Sequence, residues 1–266
     1  MKSIVTKTIP NFKINKIANN LVRAFTKNKI ISPIPLKYTR SMKEAEKLRR
    51  LCESKIKEPV IGFKAAGTGI PVLKKLGEKE PFYASIFEKN VLKSGKSVKT
   101  NSYTLGIELE VGYLIKKSFF QSKGSVNFKN IHKHISHMMP AIEVVGYRQK
   151  KKGIKFLGDL CSDFGANVKF VVGMKSKYKK INFANLKTSI ENKKVNQLVK
   201  GHTNTVYINP LNSLRFVLNK LKKDKIIISK DFYIFTGSTI GVTPILSKGI
   251  YQGKIEKLGS VRAKII

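Results

Sequence analysis

The sequence predicts an α+β fold. Helix-like segments come first, and strand-like segments with inserted helices dominate after about residue 60, in place of a regular strand–helix alternation. Hydrophobic residues make up 41% of the 266 positions and include 15 Phe, enough for a substantial core. No uninterrupted apolar run reaches about 18 residues, so no membrane span is expected.

Residues 14–27 carry Ile14, Ile17, Leu21 and Phe25 at helical spacing, which predicts a first helix. Ile31-Ser-Pro-Ile-Pro-Leu36 breaks it, because proline cannot donate an N–H and holds its predecessor extended. Ser41 with Glu44 three residues on reads as a capping box, opening a helix through Leu48 and Leu51 to about Ile56. Val60–Lys64 is a short apolar strand ending in lysine, 65–69 a flexible loop, and Pro71–Leu76 a short helix closed by Gly77. From Pro81 to Tyr113 strands and turns are expected, with a turn at Gly95-Lys96 and one long strand from Tyr103 to Ile115. Phe128–Met139 reads as a helix stopped by Pro140. Strands are expected at 142–147 and 168–172, a helix at 211–221, a buried strand at 232–238 and a terminal hairpin within 249–266. There is no internal repeat.

The charge balance is extreme, with 53 basic residues against 16 acidic ones and a formal net charge of +37. The excess is lysine, 46 against only 7 arginines, and it spreads from Lys2 to Lys264 without forming a tail or stripe. Arginine, the usual residue for bidentate base and phosphate contacts, is scarce, so nucleic-acid binding is not the expected main function. The abundance of Lys, Ile and Asn fits AT-rich coding. A basic surface would still attract a small anionic substrate. The first 43 residues hold ten Lys or Arg and no acid, as a transit segment would, but a packed amphipathic helix accounts for them equally well. Cys52 and Cys161 lack metal-ligand spacing and fit a reducing cytoplasm.

Acids are rare enough that their placement is informative. Glu108 and Glu110 stand at i and i+2 on a predicted strand, so both side chains leave on one face, and Glu143 enters from another strand. Three carboxylates without paired His or Cys specify oxygen ligation of Mg²⁺ or Mn²⁺ before Zn²⁺. Carboxylates on a half-exposed sheet face are the alternative. Lys64 ends its strand at a Gly-Thr-Gly loop, where it can serve as a proton carrier or be one more surface lysine. Thr236-Gly237-Ser238 offers small donors at a strand end, either an anion cradle or an ordinary turn. His132, His134 and His137 make no ligand constellation.

Taken in order, these segments resemble the 2-keto-4-pentenoate hydratase family of the fumarylacetoacetate hydrolase superfamily. The resemblance lies in Val60-Ile-Gly-Phe-Lys64-Ala-Ala-Gly-Thr, Ile107-Glu108-Leu-Glu110-Val, Pro140-Ala-Ile-Glu143-Val-Val-Gly-Tyr-Arg148, Ser162-Asp163 through Gly173, Asn209-Pro-Leu-Asn-Ser-Leu and Thr236-Gly237-Ser238. It spans nearly the whole chain, from about Ile14 to Ile266. It implies a mixed β-sheet roll or barrel core with peripheral helices, a helical segment at 1–58 packed on a catalytic domain at 59–266, and a cytoplasmic homo-oligomer. It also implies Glu108, Glu110 and Glu143 as ligands of one Mg²⁺ (or Mn²⁺), Lys64 as the proton-transfer residue, and Thr68, Asp163, Gly237 and Ser238 around a small anionic 2-oxo acid. The implied activity is a hydro-lyase adding water to a 2-hydroxy-dienoate of aromatic catabolism. A 2-oxo-3-hexenedioate decarboxylase on the same scaffold, and a basic binding protein that keeps the fold without catalysis, are the alternatives. The chain departs from the family at Pro81-Phe82-Tyr83-Ala84, where Pro-Asp-Phe/Tyr-Gly is usual, at Asp163-Phe164-Gly165, where Asp-Asn-Ala/Gly is usual, and in the rewritten loop Gly201–Tyr207.

Overall fold

A computed structural model describes residues 12–150 and 153–266. The start of the basic N-terminal stretch, 1–11, lies outside the described residues. In chain order the elements are α1 (Phe12–Lys27), α2 (Met42–Ser54), β1 (Val60–Ala66), α3 (Ile70–Lys75), β2 (Phe82–Phe87), β3 (Val91–Lys93), β4 (Ser97–Val98), β5 (Thr104–Ile115), β6 (Ile135–Gly146), α4 (Leu157–Ser162), β7 (Asn167–Val172), β8 (Ser176–Lys177), β9 (Lys187–Asn192), β10 (Gln197–His202), α5 (Pro210–Lys223), β11 (Phe232–Ser238), β12 (Gly249–Ile255) and β13 (Gly259–Ile265).

The helices form where apolar spacing predicts them. Ile14, Ala18, Leu21 and Phe25 make the buried stripe of α1, and Asn28 ends it in a left-handed conformation at φ 52°. Ser41 stands at the start of α2, but it is exposed and makes no side-chain cap bond, so the expected capping box does not form. β1 continues two residues past Lys64, because Ala65 and Ala66 extend its pairing with β2.

The largest departure is at 128–139. The expected helix is a four-residue 3₁₀ turn, Ile131–His134, followed at once by β6. Ile131, Ile135 and Met138 have helical spacing, but their neighbours supply the long partner that β5 needs. Pro140 sits inside β6 at little cost: its register position falls between Met138, which pairs with β8, and Ala141, the last residue paired with β7.

Two mixed sheets stack. The larger runs β2-β1-β11-β5-β6-β7-β3, with β8 beside β6, and the smaller runs β10-β9-β12-β13-β4. Odd positions of β5 (Ile107, Leu109, Val111) and even positions of β6 (Ile142, Val144) face the smaller sheet, where Tyr251, Val261 and Ala263 complete the main core. Gly253 lets that sheet come close, since a Cβ there would lie 2.5 Å from Leu109. The opposite face of β5 and β6 presents Glu108, Glu110, Ala141 and Glu143.

A buried node joins the helices to this face. Arg148 donates from Nη1 to Asp163 Oδ1 (3.0 Å), from Nη2 to Asn167 O (2.6 Å) and from its backbone N–H to Asp163 Oδ2 (2.6 Å). Its guanidinium lies over the rings of Phe25, Tyr103 and Phe164 at 4.9, 5.1 and 5.8 Å. Arg148 and Asp163 are both buried, so removing one strands the other without compensation. Arg148→Met is expected to cost about 3–5 kcal/mol in urea unfolding, and pairing it with Asp163→Asn should recover part of that loss. Equal stability of Arg148→Met and the parent would contradict the role given to this pair.

Candidate functional site

The site lies on the free face of the larger sheet. Glu108 and Glu143 are directly opposed across the β5–β6 ladder, and Glu110 follows two residues along β5 on the same face. One oxygen from each falls within 4.8 Å of the others. Glu110 and Glu143 are fully buried, and Glu108 is half-buried toward a cavity.

Lys64 comes from β1, three strands away from β6 through β11 and β5. At about 4.8 Å per strand a flat sheet would hold them about 14 Å apart. Yet Lys64 Nζ lies 2.6 Å from both Glu143 oxygens and donates also to Gly165 O at 3.0 Å. The sheet curls as a half-barrel, and the reach of two extended side chains along its face closes the rest of the gap. Glycine assists at Gly112, where a Cβ would lie 2.8 Å from the Phe235 ring.

Gly237 holds the third carboxylate. Its N–H donates to Glu110 Oε2 at 2.7 Å, and its φ of +108° with Thr68 Oγ1 packed against it leaves no room for a side chain. Glu110 Oε1 is buried and receives no donor. An orphaned buried oxygen beside two further carboxylates is the donor set a hard divalent cation satisfies.

The electrostatics agree. Burial pushes Glu108 and Glu110 up to about 7, the first reinforced by the charge of Glu143 and the second by that of Glu108, with Lys64 opposing both. Burial also raises Glu143 well above the carboxylate range, although Lys64 pulls it back. For Lys64 burial favours the neutral amine, but the charges of Glu143, Glu108 and Glu110 outweigh it, so its pKa rises and the ammonium persists. A second positive charge from a divalent cation would relieve the remaining repulsion.

The cluster opens into a cavity of about 360 Å³. Of the expected site residues, Lys64, Thr68, Glu108, Gly237 and Ser238 line it, and Glu110 and Glu143 lie beneath them. Asp163 does not line it. It is fully buried against Arg148. The Gly237 N–H donates to Glu110, and the Ser238 hydroxyl donates to Gly241 O at 3.0 Å. Phe82 shares the strand face of Ala84 and Lys64 and packs with Ala84 and Leu157, while Glu80 is exposed, so no carboxylate replaces the missing acid there.

Sequence patterning does not single out Gly165. Phe164, Gly165 and Ala166 form a run of left-handed residues at φ 54°, 68° and 59°, which turns the Gly165 carbonyl onto Lys64. The run is held by the Asp163–Arg148 pair before it and by Asn167 Nδ2 donating to Phe164 O (2.8 Å) after it. The glycine in Asp163-Phe-Gly-Ala is the one local signal of it.

No family model matches the chain. Among curated proteins it is similar to 2-keto-4-pentenoate hydratase of Burkholderia vietnamiensis (strain G4), 24% identical over 209 residues that cover 77% of this chain and 78% of the relative. Among solved structures it is similar to 4-oxalocrotonate decarboxylase from Pseudomonas putida G7, complexed with calcium and acetate (TM-score 0.83, 17% identity) or with magnesium and adipate (0.82, 18%). Each match covers 97% of this chain and 99% of the other. Fumarylpyruvate hydrolase from Pseudomonas aeruginosa, in complex with Mn²⁺ and pyruvate, matches at TM-score 0.54 and 13% identity over 80% of this chain and 92% of that one. The chain shares its fold with these solved structures. No helix among the described residues is long and apolar enough to cross a membrane.

Cation binding should be strongly pH-dependent. Glu108 and Glu110, at about 7 in the free protein, must lose any bound proton to ligate. Mn²⁺ affinity is expected to rise from pH 6 to pH 8 with net proton release, read by titration calorimetry in buffers of different ionisation enthalpy. A flat profile with no proton release would contradict this assignment.

Proposed function

We propose that the chain is a lyase, a Mg²⁺- or Mn²⁺-dependent hydro-lyase that adds water to a 2-hydroxy-dienoate of the 2-keto-4-pentenoate type. The observation that carries this reading is the convergence of Glu108, Glu110, Glu143 and Lys64 at the floor of one cavity. The similarity to the curated hydratase supports it.

Glu108, Glu110 and Glu143 would hold the cation through hard oxygen donors. Bound there, it would supply Lewis acidity to a 2-oxo acid. Gly237 keeps one Glu110 oxygen occupied, so Oε1 is the one left for ligation. Lys64 is charged and oriented by Glu143 and Gly165, and its Nζ proton is the one this chain can offer to substrate carbon. In the reaction the 2-hydroxyl proton leaves, C5 gains a proton as the dienol becomes a 2-oxo-3-enoate, and water then adds with its oxygen on C4 and a hydrogen on C3. The apolar cavity walls keep bulk water from competing for these protons.

Loss of CO₂ from a 2-oxo-3-hexenedioate is the second reading. It would use the same ligands and the same proton donor, and the fold shared with the decarboxylase favours it.

Glu108→Gln is expected to lower Mn²⁺ affinity by at least tenfold and abolish turnover. Lys64→Met should retain cation binding but lose about 10²–10⁴-fold in turnover. Product analysis with dienoate and hexenedioate substrates separates hydration from decarboxylation. Unchanged Mn²⁺ binding in Glu108→Gln would sink the ligand assignment. No turnover of any 2-oxo acid, together with salt-sensitive nucleic-acid binding, would favour a basic binding protein instead.

A further inference from the structure

The cavity has two chemically different ends. The floor carries Lys64 and the carboxylates. The remaining wall is apolar: Val72, Leu105, Val145, Ile154, Leu160 and Val242. Three of these are exposed large hydrophobics, Val72 at 46%, Leu105 at 51% and Val242 at 51%, so the mouth is an apolar collar on a very basic protein.

Among the described residues this apolar wall carries no cation, in a chain where cations are common. One residue in five is Lys or Arg, yet Lys64 is the one cation among the described lining residues, and Glu143 and Gly165 engage it. The Ser238 and Thr205 hydroxyls of the wall are also engaged. Ser238 donates to Gly241 O and Thr205 to His202 O at 2.7 Å, while Thr68 sits at the charged end against Gly237. A carboxylate on the substrate tail would lose its hydration against these apolar side chains without meeting a cation among the described residues of the wall. An alkyl or alkenyl tail would gain contact with Leu105 and Val242 at each added carbon.

We infer that this site selects 2-oxo acids with an uncharged, apolar tail and discriminates against a second carboxylate, with Leu105 and Val242 as specificity-determining residues. The inference rests on the 2-oxo acid reading above and deepens it. It also separates the two reactions, since the decarboxylase substrate carries its second carboxylate where this wall is apolar. The volume of about 360 Å³ leaves room beyond a five-carbon acid, so longer neutral tails fit as well.

The test uses inert saturated 2-oxo acids with the Mn²⁺-loaded protein, read by titration calorimetry. Pyruvate reports the chelating head alone. 2-Oxohexanoate and 2-oxoadipate have equal chain length and differ in a terminal methyl against a terminal carboxylate. Affinity is expected to rise roughly fourfold per buried methylene from pyruvate to 2-oxohexanoate. 2-Oxoadipate is expected to bind at least tenfold more weakly than 2-oxohexanoate. Leu105→Lys, at a half-exposed position that tolerates a charge, should narrow or reverse that ratio. Pyruvate binding with 2-oxoadipate equal to or tighter than 2-oxohexanoate would overturn the tail inference alone. Failure of pyruvate to bind with Mn²⁺ would overturn the 2-oxo acid reading and this inference with it.

Discussion

The structure depends on one electrostatic constraint: two fully buried carboxylates and a buried lysine on one face of a β-sheet. Their surroundings are apolar, with Met139, Phe170 and Phe235 packed around Ala141 on the same face. Charges there survive only in mutual contact. The contact is geometrically demanding, because Lys64 and Glu143 belong to strands separated by two others. The curl of the sheet, the small residues at 112 and 237, and the length of β5 and β6 all serve that meeting. A lysine alone does not balance three carboxylates, which is why the free oxygen of Glu110 and the raised carboxyl pKa values point to a cation.

The second support is backbone strain outside the sheet. Three consecutive left-handed residues are unfavourable for Phe164 and Ala166, which carry side chains, and persist because buried contacts over-determine them. Arg148 and Asp163 fix one end and Asn167 the other, with the Phe164 ring tilted against Phe25 of α1, centroids 4.6 Å apart. The N-terminal helices thus brace the turn that aims Gly165 at Lys64.

Much of this is legible in the sequence, and the reasons are physical. Strand alternation alone puts Glu108 and Glu110 on one face, because period 2 is a local property of the chain. Lys64 and Glu143 are legible as residues out of place in apolar strands. Their contact is not, since it depends on sheet curvature. Asp163 stands out in its motif, but its pairing with Arg148 does not, because a motif names a residue whereas its partner is set by tertiary packing. Ile131, Ile135 and Met138 mimic a helix because local spacing cannot register the demand of β5 for a partner. β9 and β10, short and largely polar, alternate too weakly to stand out, and the apolar collar is hidden from the sequence because Val242 and Ile154 lie in loops.

In the function proposed above, Glu108, Glu110 and Glu143 together hold one divalent cation beside Lys64. Anomalous diffraction from crystals of the protein grown with Mn²⁺ tests it most directly. The account predicts a single strong anomalous peak among the three carboxylates, within ligating distance of Glu110 Oε1. Well-ordered crystals with the three carboxylates resolved and no peak between them, or with Mn²⁺ bound only elsewhere, would contradict it.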